Sequence, residues 1–421
     1  MGRRTSSVYR LLLLIALVPC LAFPLLSEEL STEKLFTDSR FDQWQAEGPR
    51  EQIPWKVHLL PARLSIHQRL EMAVEVLVPG GEVVKRRTDG QLIMLVQITD
   101  VSGQRYRNHG VLELGEIKPE VSKTDAQFFW GAFVLPGQYE IALALYDKVT
   151  GEHNFFTNTT HVGPLRNDPL PNLWLGLPKV EFWSPDARGL DRIYRNDTEG
   201  RLHIPLITKR PLHLEVISDL TPTDLFGGDY GAYQSYLHGI LPLMKALSQI
   251  KLSNGSVSLA TLNLDQRQVS VDQPNLKEID WPLLKAAVGP GHGPGVVAVK
   301  SLLERKHSPA FLREELVRRM GAVPDAPAPA GEPLPVFVVI TAPMDPYSFP
   351  DLPPIAVADP GCVIFYLQYD FLGLVEARRL DGGSANVVKM LKPLRVRSFT
   401  VRSAESIRQA LSKILEEISQ M

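Results

Sequence analysis

Apolar side chains in the first half of the chain fall on alternate positions. Leu70, Met72, Val74, Val76 and Val78 repeat every second residue and stop at Pro79-Gly80-Gly81. A period of two places one face of a strand in a core, and Pro-Gly-Gly is turn chemistry. Leu92, Met94, Val96 and Ile98 repeat the pattern before Asp100-Val101-Ser102-Gly103, as do Tyr139, Ile141, Leu143 and Leu145 between Pro136-Gly137 and the polar stretch from Asp147 to Gly151. No helical period intervenes. Residues 54–165 are therefore expected to form an antiparallel β-sandwich, immunoglobulin-like in architecture only, because no Cys-Trp-Cys framework is present.

The period changes in the second half. Leu212 to Leu220 predicts a strand. Tyr233, Tyr236, Leu237, Ile240, Leu241 and Met244 then recur at three and four, predicting a helix over about 230–250. Ser256 to Leu264 predicts another strand, and Ser308-Pro309 the start of a helix ending before Gly321. The runs Val336 to Ile340 and Val363 to Leu367 are apolar on both faces, as in central strands covered on both sides. A strand over Leu394 to Val401 and a helix capped by Ser403 close the chain. This alternation predicts a doubly wound α/β domain over 209–421, giving a multidomain β + α/β protein. The connector, 166–208, is rich in proline and aromatics; Trp174, Phe182 and Trp183 are too apolar for a solvated tether and are expected to pack between the domains.

The N-terminus adds an address. Arg3, Arg4 and Arg10 precede an apolar run from Leu11 to Ala22, a signal-peptide pattern with small side chains at Cys20 and Ala22. Residues 1–22 are expected to be removed and the mature chain to begin at Phe23, with 23–53 as an N-terminal segment of an exported, periplasmic or extracellular protein. With 421 residues, two folded domains are the natural division. A net charge of −2 without a long basic block argues against nucleic acid as the partner. Beyond the leader no stretch is apolar and long enough to span a bilayer. Loss of Cys20 with the leader leaves Cys362 alone at the head of CVIFYLQY, where a buried structural thiol is expected.

Candidate chemistry follows the first strand of the second domain. In a doubly wound sheet, ligands bind beyond the carboxyl ends of the strands, and there the chain reads Asp219-Leu220-Thr221-Pro222-Thr223-Asp224. Asp219-x-Thr221-x-Thr223 resembles the Asp-x-Ser-x-Ser loop of von Willebrand factor A-like domains. The order of elements over 209–421 is similar to that fold, and leader, sandwich and this domain together resemble a bacterial exported group of von Willebrand A-related proteins. The resemblance implies a divalent cation, Mg or Ca, held at Asp219, Thr221 and Thr223 and completed by a partner's carboxylate. The set is incomplete here. The later loop Val288 to Gly295 supplies no threonine, and Thr341-Ala342-Pro343-Met344 stands where the family has an aspartate. The metal site is therefore expected to be degenerate and empty, with no cofactor. Asp219 and Thr221 then hydrogen-bond the turn while Thr223 or Asp224 caps the next helix.

Other motifs fail on their own terms. Gly295 to Ser301 imitates a phosphate loop, but Val299 replaces its second glycine. No His-x-x-x-His, His-x-His or Gly-x-Ser-x-Gly spacing occurs. The expected function is that of a non-enzymatic, adhesion-type protein. It would bind a protein or envelope component through Asp219, Thr221, Thr223, Asp224 and Asp229. An envelope hydrolase with an unmarked active site and a structural envelope scaffold stay open as alternatives.

Overall fold

Inward-facing side chains of β2 (Leu70–Pro79) and β3 (Gln91–Asp100) meet in one core, as their alternation requires. The computed structural model describes residues 32–86, 90–183, 200–221, 230–288, 308–321, 333–342, 352–355, 361–370 and 381–421, so the leader and residues 23–31 lie outside it. Helices α1 (Thr32–Asp38) and α2 (Phe41–Glu47) come first, with α3 (Gly80–Lys85) between β2 and β3. The remaining strands of this half are β1 (Lys56–Leu64), β4 (Arg105–Glu113), β5 (Asp125–Val134), β6 (Gly137–Asp147), β7 (His153–Val162) and β8 (Val180–Phe182). They form two antiparallel sheets, ordered β1-β2-β5-β8 and β4-β3-β6-β7. Met72, Val74 and Val76 of the first sheet share a core with Met94, Val96, Ile141 and Leu143 of the second.

One local expectation holds and another changes. The strand run ends at Pro79 as Pro79-Gly80-Gly81 predicts; Pro79 has φ −52° and leads into α3, and the Arg86 N–H closes on Val83 and Val84 carbonyls. Strands β3 and β6 are buried on both faces, because Leu35, Phe36, Phe41 and Trp44 of the first two helices lie on Ile93, Leu95, Ala142 and Ala144. Burying an apolar side chain of this size contributes about 1.5–3 kcal/mol, so this second layer stabilises the sheet appreciably. Polar ties hold it in place. Arg107 reaches Glu33 at 2.9 Å and lies 4.6 Å over the Phe36 ring, and Gln45 donates to Glu140 at 3.0 Å.

The second half contains β9 (Ile204–Leu206), β10 (Leu212–Asp219), α4 (Tyr230–Ser248), β11 (Ile250–Leu252), β12 (Gly255–Asn263), β13 (Gln268–Gln273) and α5 (Trp281–Val288). Next come α6 (Ser308–Gly321), β14 (Leu334–Thr341), β15 (Val363–Tyr369), α7 (Asp381–Leu391), β16 (Arg397–Val401) and α8 (Ala404–Gln420). Its main sheet is ordered β13-β12-β10-β14-β15-β16, parallel except for the antiparallel β12–β13 pair; β9 and β11 form a separate parallel pair. Leu237, Ile240, Leu284, Ile407 and Ile414 from α4, α5 and α8 cover one face. Leu312, Leu316, Val387 and Met390 from α6 and α7 cover the other. That double cover explains the unbroken apolar run of β14. Helix α8 begins with the cap the sequence predicts. Ser403 Oγ accepts from the Ser406 N–H at 3.2 Å, and Ser406 Oγ accepts from the Ser403 N–H at 2.9 Å. No helix among the described residues is long and apolar enough to cross a membrane.

The connector is divided between the halves. Trp174 packs against both large cores, as expected, and donates from Nε1 to the Gln68 carbonyl at 2.7 Å. Phe182 and Trp183 instead stay with the first sheet. Phe182 pairs with Ala132 in the β5–β8 ladder, and the Trp183 ring lies on Gly131, where an added Cβ would sit 2.5 Å from the indole. Arg408 of α8 crosses between the halves, with its side chain 2% exposed. It donates to both Asp168 oxygens at 2.6 and 2.7 Å and to the Leu170 carbonyl at 2.9 Å, and lies 4.7 Å over the Trp174 ring. Gln68, at φ 60° in the β1–β2 turn, donates its amide to the Ala404 carbonyl at 3.1 Å.

Leu173, Leu177, Leu202, Ile204 and Leu206 all belong to the second-half core although they precede residue 209. At about 1.5–3 kcal/mol each, their removal takes away roughly as much as a whole domain's stability. A chain of residues 209–421 is therefore expected to aggregate when produced alone, whereas 166–421 elutes as a discrete species on size exclusion. A monodisperse 209–421 fragment would show that these five side chains are dispensable to the core.

Candidate functional site

Strand order reverses between β10 and β14, which puts the crevice of the main sheet at their carboxyl ends. Asp219 is the last residue of β10 and is only 3% exposed. Its Oδ1 accepts from the Thr221 N–H at 3.0 Å and from the Thr221 hydroxyl. The same hydroxyl accepts from the Leu264 N–H at 2.7 Å, tying the exit of β10 to the exit of β12. Tyr236 of α4 donates to the Asp219 carbonyl at 2.7 Å, and the Leu220 N–H donates to Leu262 O at 2.9 Å. Asp219 and Thr221 thus form a turn in which Asp219 Oδ1 and the Thr221 hydroxyl are already used inside the protein.

Burial pushes the Asp219 carboxyl up to about 7, and the nearby Asp265 adds to the rise; the two Thr221 bonds pull downward without cancelling it. At the end of β14, Thr341 occupies the place where the resemblance wants an aspartate. Its hydroxyl bonds Tyr366 at 2.8 Å and the Ala342 carbonyl at 2.9 Å, and burial pushes the Tyr366 phenol up to about 12.

A second carboxylate sits on this edge that the sequence argument passed over. Asp370 directly follows β15 and is buried; one oxygen accepts from Arg402 Nε at 2.9 Å, and the other has no partner among the described residues. Its signal was legible, since it ends an apolar run that predicts a strand. Asp219 and Asp370 leave strands separated by β14, about 9–10 Å at ordinary strand spacing.

The structure therefore brings Asp219 and Thr221 together. Thr223, Asp224 and Asp229 lie outside the described residues, as do the loop from Gly289 through Lys300 and the stretch containing Asp345. Among the described residues no group of three His, Cys, Asp or Glu side chains is placed to hold a metal. Cys362 is buried beside the α6–α7 core, and burial pushes its thiol up to about 11, the behaviour of a packing residue rather than a nucleophile.

No family model matches the sequence, and no curated protein matches it. Among solved structures, the ArnB paralog VWA2 from Sulfolobus acidocaldarius aligns at 8% identity and a TM-score of 0.22, over 66% of this chain and 50% of its own. This chain thus spans about half the length of that protein. A family 123 glycoside hydrolase from Clostridium perfringens aligns at 9% identity and a TM-score of 0.26, over 82% of this chain and 72% of its own. These are weak likenesses, and neither carries an activity over to this chain.

Proposed function

We propose that this is an exported, non-enzymatic binding protein. In this reading an immunoglobulin-like sandwich precedes a von Willebrand A-like domain, whose carboxyl-end mouth meets a protein or envelope component without a bridging metal. The observation that supports it is the closed Asp219–Thr221 turn at the point where strand order reverses. Here Asp219 Oδ1 and the Thr221 hydroxyl bond one another, and that hydroxyl also accepts from the exit of β12. Contact with a partner is then assigned to Thr223, Asp224 and Asp229, which follow the turn in the sequence.

Immobilised mature protein is expected to retain its partner from an envelope extract equally well with and without EDTA. Asp224→Arg should reduce retention about tenfold or more, the effect of an opposed charge at a contact, while Lys148→Glu on the first half leaves it unchanged. Retention abolished by EDTA and restored by Mg²⁺ would overturn the metal-free reading.

A further inference from the structure

A small cleft that shares no lining residue with the Asp219 turn gathers cations from four separate segments. Arg201 comes from the connector, Lys245 from the last turn of α4, Lys251 from β11 and Lys277 from the loop between β13 and α5. Glu278 is the one acidic side chain in the lining, and it holds Arg201 at 2.9 Å. The buried Trp281 forms part of the wall. Lys245 is accounted for by its place at a helix carboxyl end, where a cation complements the dipole. Arg201 is held there by Glu278, whereas Lys251 and Lys277 have no such reason to converge. Among the described residues neither Lys251 nor Lys277 makes an ion pair. The chain as a whole is slightly acidic, at −2, so this concentration of positive charge is local. Charges of one sign around a concave, low-dielectric wall focus the field on an oppositely charged ligand.

Size narrows the ligand. The cleft holds about 140 Å³, well below the roughly 300–1,000 Å³ of pockets that enclose whole cofactors or drug-sized molecules. One tetrahedral oxyanion with a few waters fits; a nucleotide does not. Four cations against one carboxylate suit a dianion better than a single carboxylate, and a phosphate group carries about −1.5 to −2 at neutral pH. Arg201 adds a planar fork of donors that matches two oxygens of such a group. We infer that this cleft binds a phosphate group, either as the free ion or as a monoester carried on a larger molecule. This goes beyond the binding role proposed above and does not depend on it.

Titration of the full chain with inorganic phosphate at low salt, followed by ³¹P line broadening, tests the inference. Saturable binding with a dissociation constant of about 1 mM or tighter is expected. The double substitution Lys251→Glu with Lys277→Glu should weaken it at least tenfold. Both side chains are exposed, so the melting temperature should stay unchanged, and Lys148→Glu on the first half should bind like the parent chain. A parallel titration with glycerol 3-phosphate separates the sources: tighter binding than inorganic phosphate assigns a monoester, weaker binding the free ion. Absence of saturation with either compound at about twentyfold higher concentration, or an unchanged constant in the double variant, would overturn the inference.

Discussion

Asp168→Ala is expected to destabilise the full chain by about 3–5 kcal/mol at neutral pH, the cost of leaving a buried charge without its partner. Arg408 is enclosed by Asp168, the Leu170 carbonyl and the Trp174 ring, so its guanidinium has no path to water when the carboxylate is removed. The double variant Asp168→Ala with Arg408→Met should lose less than Asp168→Ala alone, because no orphan charge remains. Burial works to raise the Asp168 carboxyl, but its bonds from Arg408 and the Leu170 N–H outweigh that and hold it below the usual range. A carboxylate lowered in the folded state adds stability above its unfolded pKa of about 3.9, and that stability disappears as pH falls through the folded value. Urea unfolding of parent and variant should therefore differ strongly at pH 7 and converge in acid. A loss below about 1 kcal/mol at pH 7 would mean that the pair is screened like an ordinary surface bridge.

Asp219→Asn is expected to act with the opposite pH dependence. The parent carboxyl is raised from 3.8 to about 7 in the folded state. A group raised on folding favours the folded protein while it is protonated, and that contribution is lost as pH climbs from its unfolded to its folded value. A shift of about three pKa units corresponds to roughly 4 kcal/mol between pH 4 and pH 8. Asparagine keeps an oxygen to accept from the Thr221 N–H and hydroxyl but never ionises. The variant should match its parent near pH 4 and exceed it in stability near pH 8. Other titrating groups cancel in that comparison. If the difference between the two proteins is flat with pH, Asp219 is ionised throughout and the turn is not closed as described.

These two carboxylates also show what the sequence could and could not reveal. Asp219 and Thr221 were nameable from spacing alone, because a strand's carboxyl end in such a sheet is a fixed place for a ligand or a turn. That the Thr221 hydroxyl accepts from the N–H of Leu264, just past β12 and forty-three positions away, is not a local property. Asp168 and Arg408 lie 240 positions apart and carry no shared motif. The elements themselves divide in the same way. Strands β2, β3, β10 and β14 and helix α8 were legible because their periods and caps are written within a dozen residues. The antiparallel turn of β13, the docking of α1 and α2 on β3 and β6, and the resting place of Trp183 depend on partners elsewhere in the chain. Pro79-Gly80-Gly81 was a true turn signal whose geometry, a helix start rather than a hairpin, was decided by what packs on Val83.

The docking of the first two helices also sets an order of assembly. Phe41 packs against Phe155, and Gln52 and Ile53 bond the side chain of Asn154, 102 and 101 positions later. Closing so long a loop costs entropy that only the completed contact returns. The segment from Thr32 to Ile53 therefore cannot complete its contacts until β7 is available, however early it emerges from synthesis. The layer over β3 and β6 is closed only then, about a hundred residues of chain growth after its own helices are made.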